Sequence, residues 1–331
     1  MFAAVDPWRW QPHPGVWLLV GGIVALGFYA TRVIGPKVVE PGEPVVTGRQ
    51  KFWFSLAVVL LLVAADWPMH DIGERYLYSV HMIQHLLMSF VIPPLFLLAT
   101  PQWLARLVVL DSGRVSTWVR RLARPVPAAV LFNGLTIFLH WQGAVTRSTE
   151  SGLFHYSMHV LLFSTALLMW MPVCSPLPEM RISLPAQMIY LFLQSVIPTI
   201  PGGWLTFAES PVYTVYDTPD RLWNIGVIDD QQAAGAIMKI MGGFFLWSLI
   251  TVLFFKWARR QEALNFSDEH SRPRVVRDER LGAGAPTDAA GVPPSELTGD
   301  LTYEDVAAAF DRSPAPHEHA GGGSRDDPSS N

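Results

Sequence analysis

Long apolar runs separated by short polar segments recur along the first 260 residues of the chain. A membrane helix needs about 20 mostly apolar residues, and seven of the runs come close to or exceed that length. Their bounds are 14–34, 51–66, 76–99, 125–142, 153–173, 184–202 and 230–256. The pattern predicts an all-α, polytopic membrane helix bundle. Pro93–Pro94 and the prolines at 198 and 201 are expected to kink or end the third and sixth spans.

The distribution of Lys and Arg predicts how the spans are oriented. Of the 24 basic residues, 19 lie in three alternate connections and in the C-terminal segment, which would share one side of the membrane. Four others, at positions 9, 75, 147 and 221, fall on the opposite side, and Lys239 lies inside the last span. Because basic residues concentrate in cytoplasmic loops, we expect the N-terminus outside the cell membrane and the C-terminus in the cytoplasm. The first span carries its charge after its apolar run, which favours a retained helix over a signal peptide.

Composition divides the chain into two parts and excludes several classes of protein. Residues 1–262 form the predicted transmembrane domain, and residues 263–331, without sustained apolar periodicity, are predicted to be a largely disordered cytoplasmic tail. Charged residues make up 16% of the chain, against about 25% in soluble domains. A net charge of −4 provides no basic excess, so nucleic acid is not an expected partner. The apolar spans make the lipid bilayer the expected partner. The single cysteine, Cys174, excludes a disulfide framework and a cysteine-rich metal site within one chain.

Histidines provide the candidate chemistry. Ionisable side chains inside a bilayer are costly, so each one is a candidate for function. Five of the ten histidines belong to spans three, four and five: His81, His85, His140, His155 and His159. In the predicted topology, spans three and five begin on the outer side and span four ends there, which places all five within roughly 15 Å of the outer surface. His70 lies in the short outer loop before span three.

Two of these histidine pairs share a spacing that suits a metal ion. His81 and His85, like His155 and His159, are four residues apart, so each pair projects from one face of a helix. Imidazole suits copper, zinc and iron, whereas the thioether of methionine favours Cu(I), which tilts this cysteine-free set toward copper. The predicted metal ligands are His81, His85, His155, His159, His140, Met82 and Met158. The alternative for each pair is two buried histidines bonded to neighbouring polar groups, and methionine is also common as core filler.

Three further polar residues are expected to orient these ligands without binding the metal themselves. Asp66 ends span two, His70 follows it, and Asp230 opens span seven. A carboxylate beside a ligating histidine orients the ring and raises its basicity. Asp230 could equally cap the start of its own span, because acidic residues are favoured at helix N-termini.

Three motifs resemble a known family. They are His81-Met-Ile-Gln-His85-Leu-Leu, the His155–His159 stretch that runs into Leu167-Leu-Met-Trp-Met-Pro-Val173, and Asp230-Gln-Gln-Ala-Ala-Gly235. In their order and spacing they are similar to the caa3-type cytochrome c oxidase assembly factor family (CtaG-like). The resemblance covers roughly residues 10–260 and leaves the tail outside. It implies a role in maturing haem–copper oxidases, with oxidase subunits as partners and no enzymatic turnover.

The resemblance and the histidine pattern lead to one main hypothesis and two alternatives. The main hypothesis is a membrane factor that binds copper transiently at an outer-leaflet His/Met cluster, because the copper centres of such oxidases lie toward the outer side. The first alternative is a b-type haem protein, since histidines on two helices at similar depth suit bis-histidine ligation. The second is a metal-free scaffold, in which the histidines only brace the bundle.

Overall fold

The structure is a computed structural model that describes residues 8–110, 113–219 and 221–271, with side chains described as far as residue 266. No β-strand occurs in these ranges. The predicted cytoplasmic tail falls mainly beyond residue 271 and so lies outside the described residues. The last described helix continues past residue 262, where we expected the tail to begin, and runs to Ser271.

The described residues are organised as a succession of helices joined mostly by short connections. In chain order the helices are α1 (Pro14–Val38), α2 (Gly48–Ala65), α3 (Met69–Arg75), α4 (Tyr78–Ala99), α5 (Gln102–Val109), α6 (Arg114–Leu122), α7 (Pro125–Leu139), α8 (Gln142–Glu150), α9 (Gly152–Cys174), α10 (Leu184–Val196), α11 (Thr199–Thr206) and α12 (Val227–Ser271). Three short 3₁₀ turns, Pro178–Met180, Thr214–Tyr216 and Leu222–Asn224, lie in the connections around them.

These helices confirm the predicted membrane bundle. Six segments are long and apolar enough to cross a membrane within the described ranges: α1, α2 with α3, α4, α9, α10 with α11, and α12. The pair α6 and α7, bent by 80° relative to each other, makes a seventh if the two helices are counted as one span. Large apolar side chains point outward, among them Leu153, Phe207 and Phe244, which are 82%, 84% and 77% exposed. Such outward-facing apolar surface is expected of helices that contact lipid.

Two spans contain irregularities near the prolines that the sequence singles out. The sixth span breaks around Pro198, where α10 ends at Val196 and α11 begins at Thr199. Within α4 a π-helical segment, Leu87–Val91, directly precedes Pro93–Pro94. The carbonyl of Ser89 in this segment accepts a hydrogen bond of 2.9 Å from the indole of Trp170 on α9. A polar contact of this kind keeps a distorted helix satisfied in an apolar environment.

The central core joins five helices on the predicted inner side of the histidines. Phe90 of α4, Phe132 of α7, Trp170 of α9, Leu191 of α10 and Leu246 of α12 are all buried in one hydrophobic cluster. Asn133 adds a polar link across this layer, because its amide donates to Gln194 Oε1 over 2.7 Å. The histidine-bearing ends of α4, α7 and α9 are therefore held by a packed layer beneath them.

The start of α12 is attached to its neighbours through two glutamines. The amide oxygen of Gln231 accepts hydrogen bonds from the backbone N–H groups of Val212 and Tyr213, at 2.9 and 3.0 Å. Its amide nitrogen donates to the carbonyl of Tyr213, and that of Gln232 donates to Ala208. The loop after α11 is thereby fixed against α12.

Gly235 allows α11 and α12 to touch backbone to backbone. A Cβ atom at this position would lie 2.5 Å from the carbonyl oxygen of Gly202 and 2.7 Å from the backbone nitrogen of Thr206. Atoms cannot approach so closely, and backbone atoms cannot swing aside as a side chain can. Farther along the same helix, Gly243 has no atom within 4 Å of its equivalent position.

We expect Gly235→Ala to destabilise the bundle by roughly 1–3 kcal/mol, as overpacking of a tight contact does. The matched change Gly243→Ala should be neutral or slightly stabilising, because alanine is the better helix former. Thermal unfolding of the two detergent-purified variants measures the difference. Equal melting temperatures would contradict the close packing of α11 on α12.

Candidate metal centre

The first turn of α4 is held by a carboxylate from α12. Asp230 accepts hydrogen bonds from the backbone nitrogens of Tyr78 and Ser79, at 2.6 and 3.1 Å, and from the Ser79 hydroxyl at 2.5 Å. Free N–H groups at a helix start and the positive end of its dipole both favour an anion there. Asp230 lies in the first turn of α12, as expected, but the helix that its carboxylate caps is α4. It therefore positions His81 through the backbone, and no hydrogen bond to a histidine ring is found among the described residues.

The two predicted histidine pairs face each other. The rings of His81 and His85 have centroids 4.3 Å apart, and those of His155 and His159 are also 4.3 Å apart. Between α4 and α9, the ring of His159 lies 5.1 Å from that of His85 and 5.8 Å from that of His81. One nitrogen from each of these three histidines lies within 4.8 Å of the other two. The structure thus brings His81, His85 and His159 together as one possible ligand set.

Five ring nitrogens in this region are buried without a hydrogen-bond partner among the described residues. They are His81 Nδ1, His85 Nε2, His140 Nε2, His155 Nε2 and His159 Nε2. Leaving a buried polar atom unpaired costs about 1–3 kcal/mol. Five such atoms in one region make it a candidate binding site.

The histidines line one cavity with the two methionines that the sequence proposed as soft ligands. The space available to the centre of a water-sized sphere is about 20 Å³, enough for one water molecule or one ion. The wall includes Glu74, Tyr78, His81, Met82, His85, His140, Ser148, His155, Met158, His159 and Tyr216. All seven predicted metal ligands therefore border the same cavity.

The hydrogen bonds of His140 show which of its two ring nitrogens carries the proton. Its Nδ1 lies 2.7 Å from the backbone carbonyl of Thr136, which can only accept, so Nδ1 is the protonated nitrogen and Nε2 has the free lone pair. The carbonyl of His140 accepts a hydrogen bond of 2.7 Å from the hydroxyl of Tyr213. Burial raises the pKa of Tyr213 to about 12, so this hydroxyl stays a neutral donor. His140 is consequently held from both sides at the end of α7.

A second group of ligating side chains adjoins the first. His70 and Glu74 lie one turn apart on α3, with His70 Nε2 and Glu74 Oε2 separated by 3.2 Å. The Nδ1 atom of His70 is 3.2 Å from the amide nitrogen of Gln84, and the ring of His155 lies 5.4 Å from that of His70. His70 thus adjoins the other histidines. Glu74 and Gln84 are contributors that we did not select from the sequence, although Gln84 lies within the His81–His85 motif.

Asp66 does contact a histidine, but one that we did not select from the sequence. His13 Nδ1 donates to Asp66 Oδ1 over 3.1 Å, and the indole of Trp17 donates to Asp66 Oδ2 over 2.8 Å. The ring of His13 lies 5.2 Å from that of His70. The depth argument used for spans three to five would have found His13, because it directly precedes span one at the predicted outer end.

The comparisons with known proteins identify the family of the chain. A family model described as cytochrome c oxidase caa3 assembly factor (Caa3_CtaG) matches residues 27–260. No curated protein and no solved structure gives a significant match. The matched region contains both histidine pairs, His140 and the capping residue Asp230, whereas His13 lies outside it. The integral membrane protein described here therefore belongs to the cytochrome c oxidase caa3 assembly factor family.

Proposed function

We propose that this protein helps mature a haem–copper cytochrome c oxidase by binding a copper ion transiently at His81, His85 and His159, on the outer side of the cell membrane. The observation that carries the proposal is the set of three nitrogens within 4.8 Å of one another. Ligands on opposite sides of an ion, each at about 2.0 Å, lie about 4 Å apart, so small side-chain rotations would complete the site. His85 Nε2 and His159 Nε2 are buried with no other partner in the described structure.

The donor atoms favour copper as the cargo. Imidazole nitrogens bind copper well, and thioether sulfurs select Cu(I) over harder ions. Met82 and Met158 border the cavity that the histidines line, so both kinds of donor are at hand. A site of neutral ligands also suits a singly charged ion, because a low-dielectric environment penalises uncompensated charge.

His140 offers a further nitrogen as the ion binds or leaves. Its unprotonated Nε2 is buried and unpaired within the described residues, and it borders the same cavity. A factor that delivers copper must also release it, so ligands are best exchanged one at a time. Donors on α4, on α9 and at the end of α7 provide such a set.

Ring packing favours an ion over a haem group. The paired rings on each helix have centroids only 4.3 Å apart, and the cavity that they line leaves only about 20 Å³ for the centre of a water-sized sphere. A porphyrin would have to separate α4 from α9, whereas an ion fits between side chains that already meet. In a metal-free scaffold the five unpaired nitrogens would only lower the stability of the fold, because each buried polar atom without a partner costs free energy.

We expect the detergent-purified chain to bind about one Cu(I) under anaerobic competition with a chelator, and His81→Gln/His159→Gln to weaken that binding at least about 100-fold, because two of three ligands are lost. Copper and iron per chain are measured together. His270→Gln is the matched control, since this histidine lies about 60 Å along α12 from the capping aspartate. Iron with a haem spectrum would support the haem alternative, and binding of neither metal would support the scaffold.

In cells, His81→Gln/His159→Gln should abolish oxidase maturation while the protein remains in the membrane. The oxidase would then lack copper because this factor cannot hold the ion. Oxidase activity and copper content of isolated membranes are compared with the abundance of the variant. Normal activity at normal abundance would refute the copper role. Oxidase loss that accompanies loss of the variant from the membrane would point to a structural role.

A further inference from the structure

We propose that His70, Glu74 and His155 form a second metal site, which takes a divalent cation such as Cu²⁺ or Zn²⁺ beside the copper site. One ligand atom from each of these residues lies within 4.8 Å of the other two. The proposal that this ion binds rests on the geometry of the three residues alone. Its place beside the copper site rests on the function proposed above.

The three ligands are well placed by the fold. His70 and Glu74 are i and i+4 on α3, and His155 lies in the first turn of α9. Both histidines are 98% buried, and the Nε2 atom of His155 has no hydrogen-bond partner among the described residues. A hydrogen bond of 3.0 Å joins the other ring nitrogen, Nδ1, to the hydroxyl of Ser148. This contact fixes the ring and leaves Nε2 for a ligand.

The side-chain amide of Gln84 can form a hydrogen bond with His70 both when an ion is bound and when it is absent. When the amide nitrogen donates to His70 Nδ1, the ring proton resides on Nε2 and is donated to Glu74. A half-turn of the amide presents its oxygen to Nδ1–H instead, and Nε2 then has a free lone pair. Cation binding would thus replace the His70–Glu74 hydrogen bond and move the single ring proton from Nε2 to Nδ1, so the ring stays neutral and no proton is released.

The chemistry of the two sites differs. Two imidazoles and a carboxylate suit a borderline divalent cation, and the charge of Glu74 offsets part of the charge on the ion. The neighbouring set of three imidazoles bordered by methionine has no carboxylate and suits Cu(I). The site at Glu74 would therefore prefer the more highly charged ion, and the three-histidine site would prefer the softer Cu(I).

The two sites are adjacent but differ in how accessible they are from outside the bundle. The Glu74 side chain is 28% exposed, so it is the accessible end of the cluster. His155 and His159 are one turn apart on α9, with ring centroids 4.3 Å apart, and they belong to different sites. An ion bound at Glu74 is then one helical turn from the ligands of the copper site.

Zn²⁺ is the probe that separates the two sites, because it cannot be reduced to a monovalent ion. The full chain, with His317 and His319 of the tail changed to Gln, is first loaded with one equivalent of Cu(I) and then titrated with Zn²⁺ against a chromophoric chelator. We expect one Zn²⁺ to bind beside the Cu(I). Glu74→Gln should weaken Zn²⁺ binding at least about tenfold and change Cu(I) affinity by less than about twofold.

Further variants make the result decisive. His70→Gln should reproduce the loss of Zn²⁺, and His81→Gln/His159→Gln should lose Cu(I) and keep Zn²⁺. Glu150→Gln, which changes an exposed carboxylate on α8, should alter neither affinity. Unchanged Zn²⁺ binding in Glu74→Gln, or loss of both ions in both single variants, would overturn the second site. Zn²⁺ binding that depends on Glu74 in a chain that never binds Cu(I) would support the second site and refute the copper proposal.

Discussion

The contact of Asp230 with the start of α4 is the constraint on which the site depends. An isolated helix start has free N–H groups, and in an apolar bundle they need a partner. The carboxylate from α12 supplies it at Tyr78 and Ser79, three and two residues before His81. Helix α12 is itself held by Gln231, which bonds the loop after α11, and by Gly235, which packs against α11. The motif Asp230–Gly235 is therefore a structural element that sets the height and rotation of α4.

Once α4 is fixed, the histidines of α9 meet those of α4 across a narrow gap. The resulting cluster is expensive, because imidazole nitrogens in an apolar setting lose their bonds to water and several gain none in return. Such an arrangement reduces the stability of the free protein and favours whatever restores those bonds. A metal ion does so with the fewest atoms.

The candidate metal ligands form two adjoining groups that differ in charge. One contains imidazoles from α4 and α9, and the other adds the carboxylate of Glu74. Both groups draw on the first two turns of α9, which Ser151 caps at its start. The family connects this chain with the assembly of cytochrome c oxidase. The arrangement of donor atoms is the basis of the metal proposals.

The sequence by itself determined the helical bundle, most span boundaries and the common depth of the five span histidines, because apolar length and i, i+4 spacing are local properties of a helix. It could not determine which helix Asp230 caps, that Asp66 pairs with His13, or that Gln84 and His155 join His70. These contacts join residues such as Tyr78 and Asp230, 152 positions apart. Depth along a helix is encoded locally, whereas the rotation of one helix against another is decided only when the whole bundle packs and its buried polar groups compete for partners.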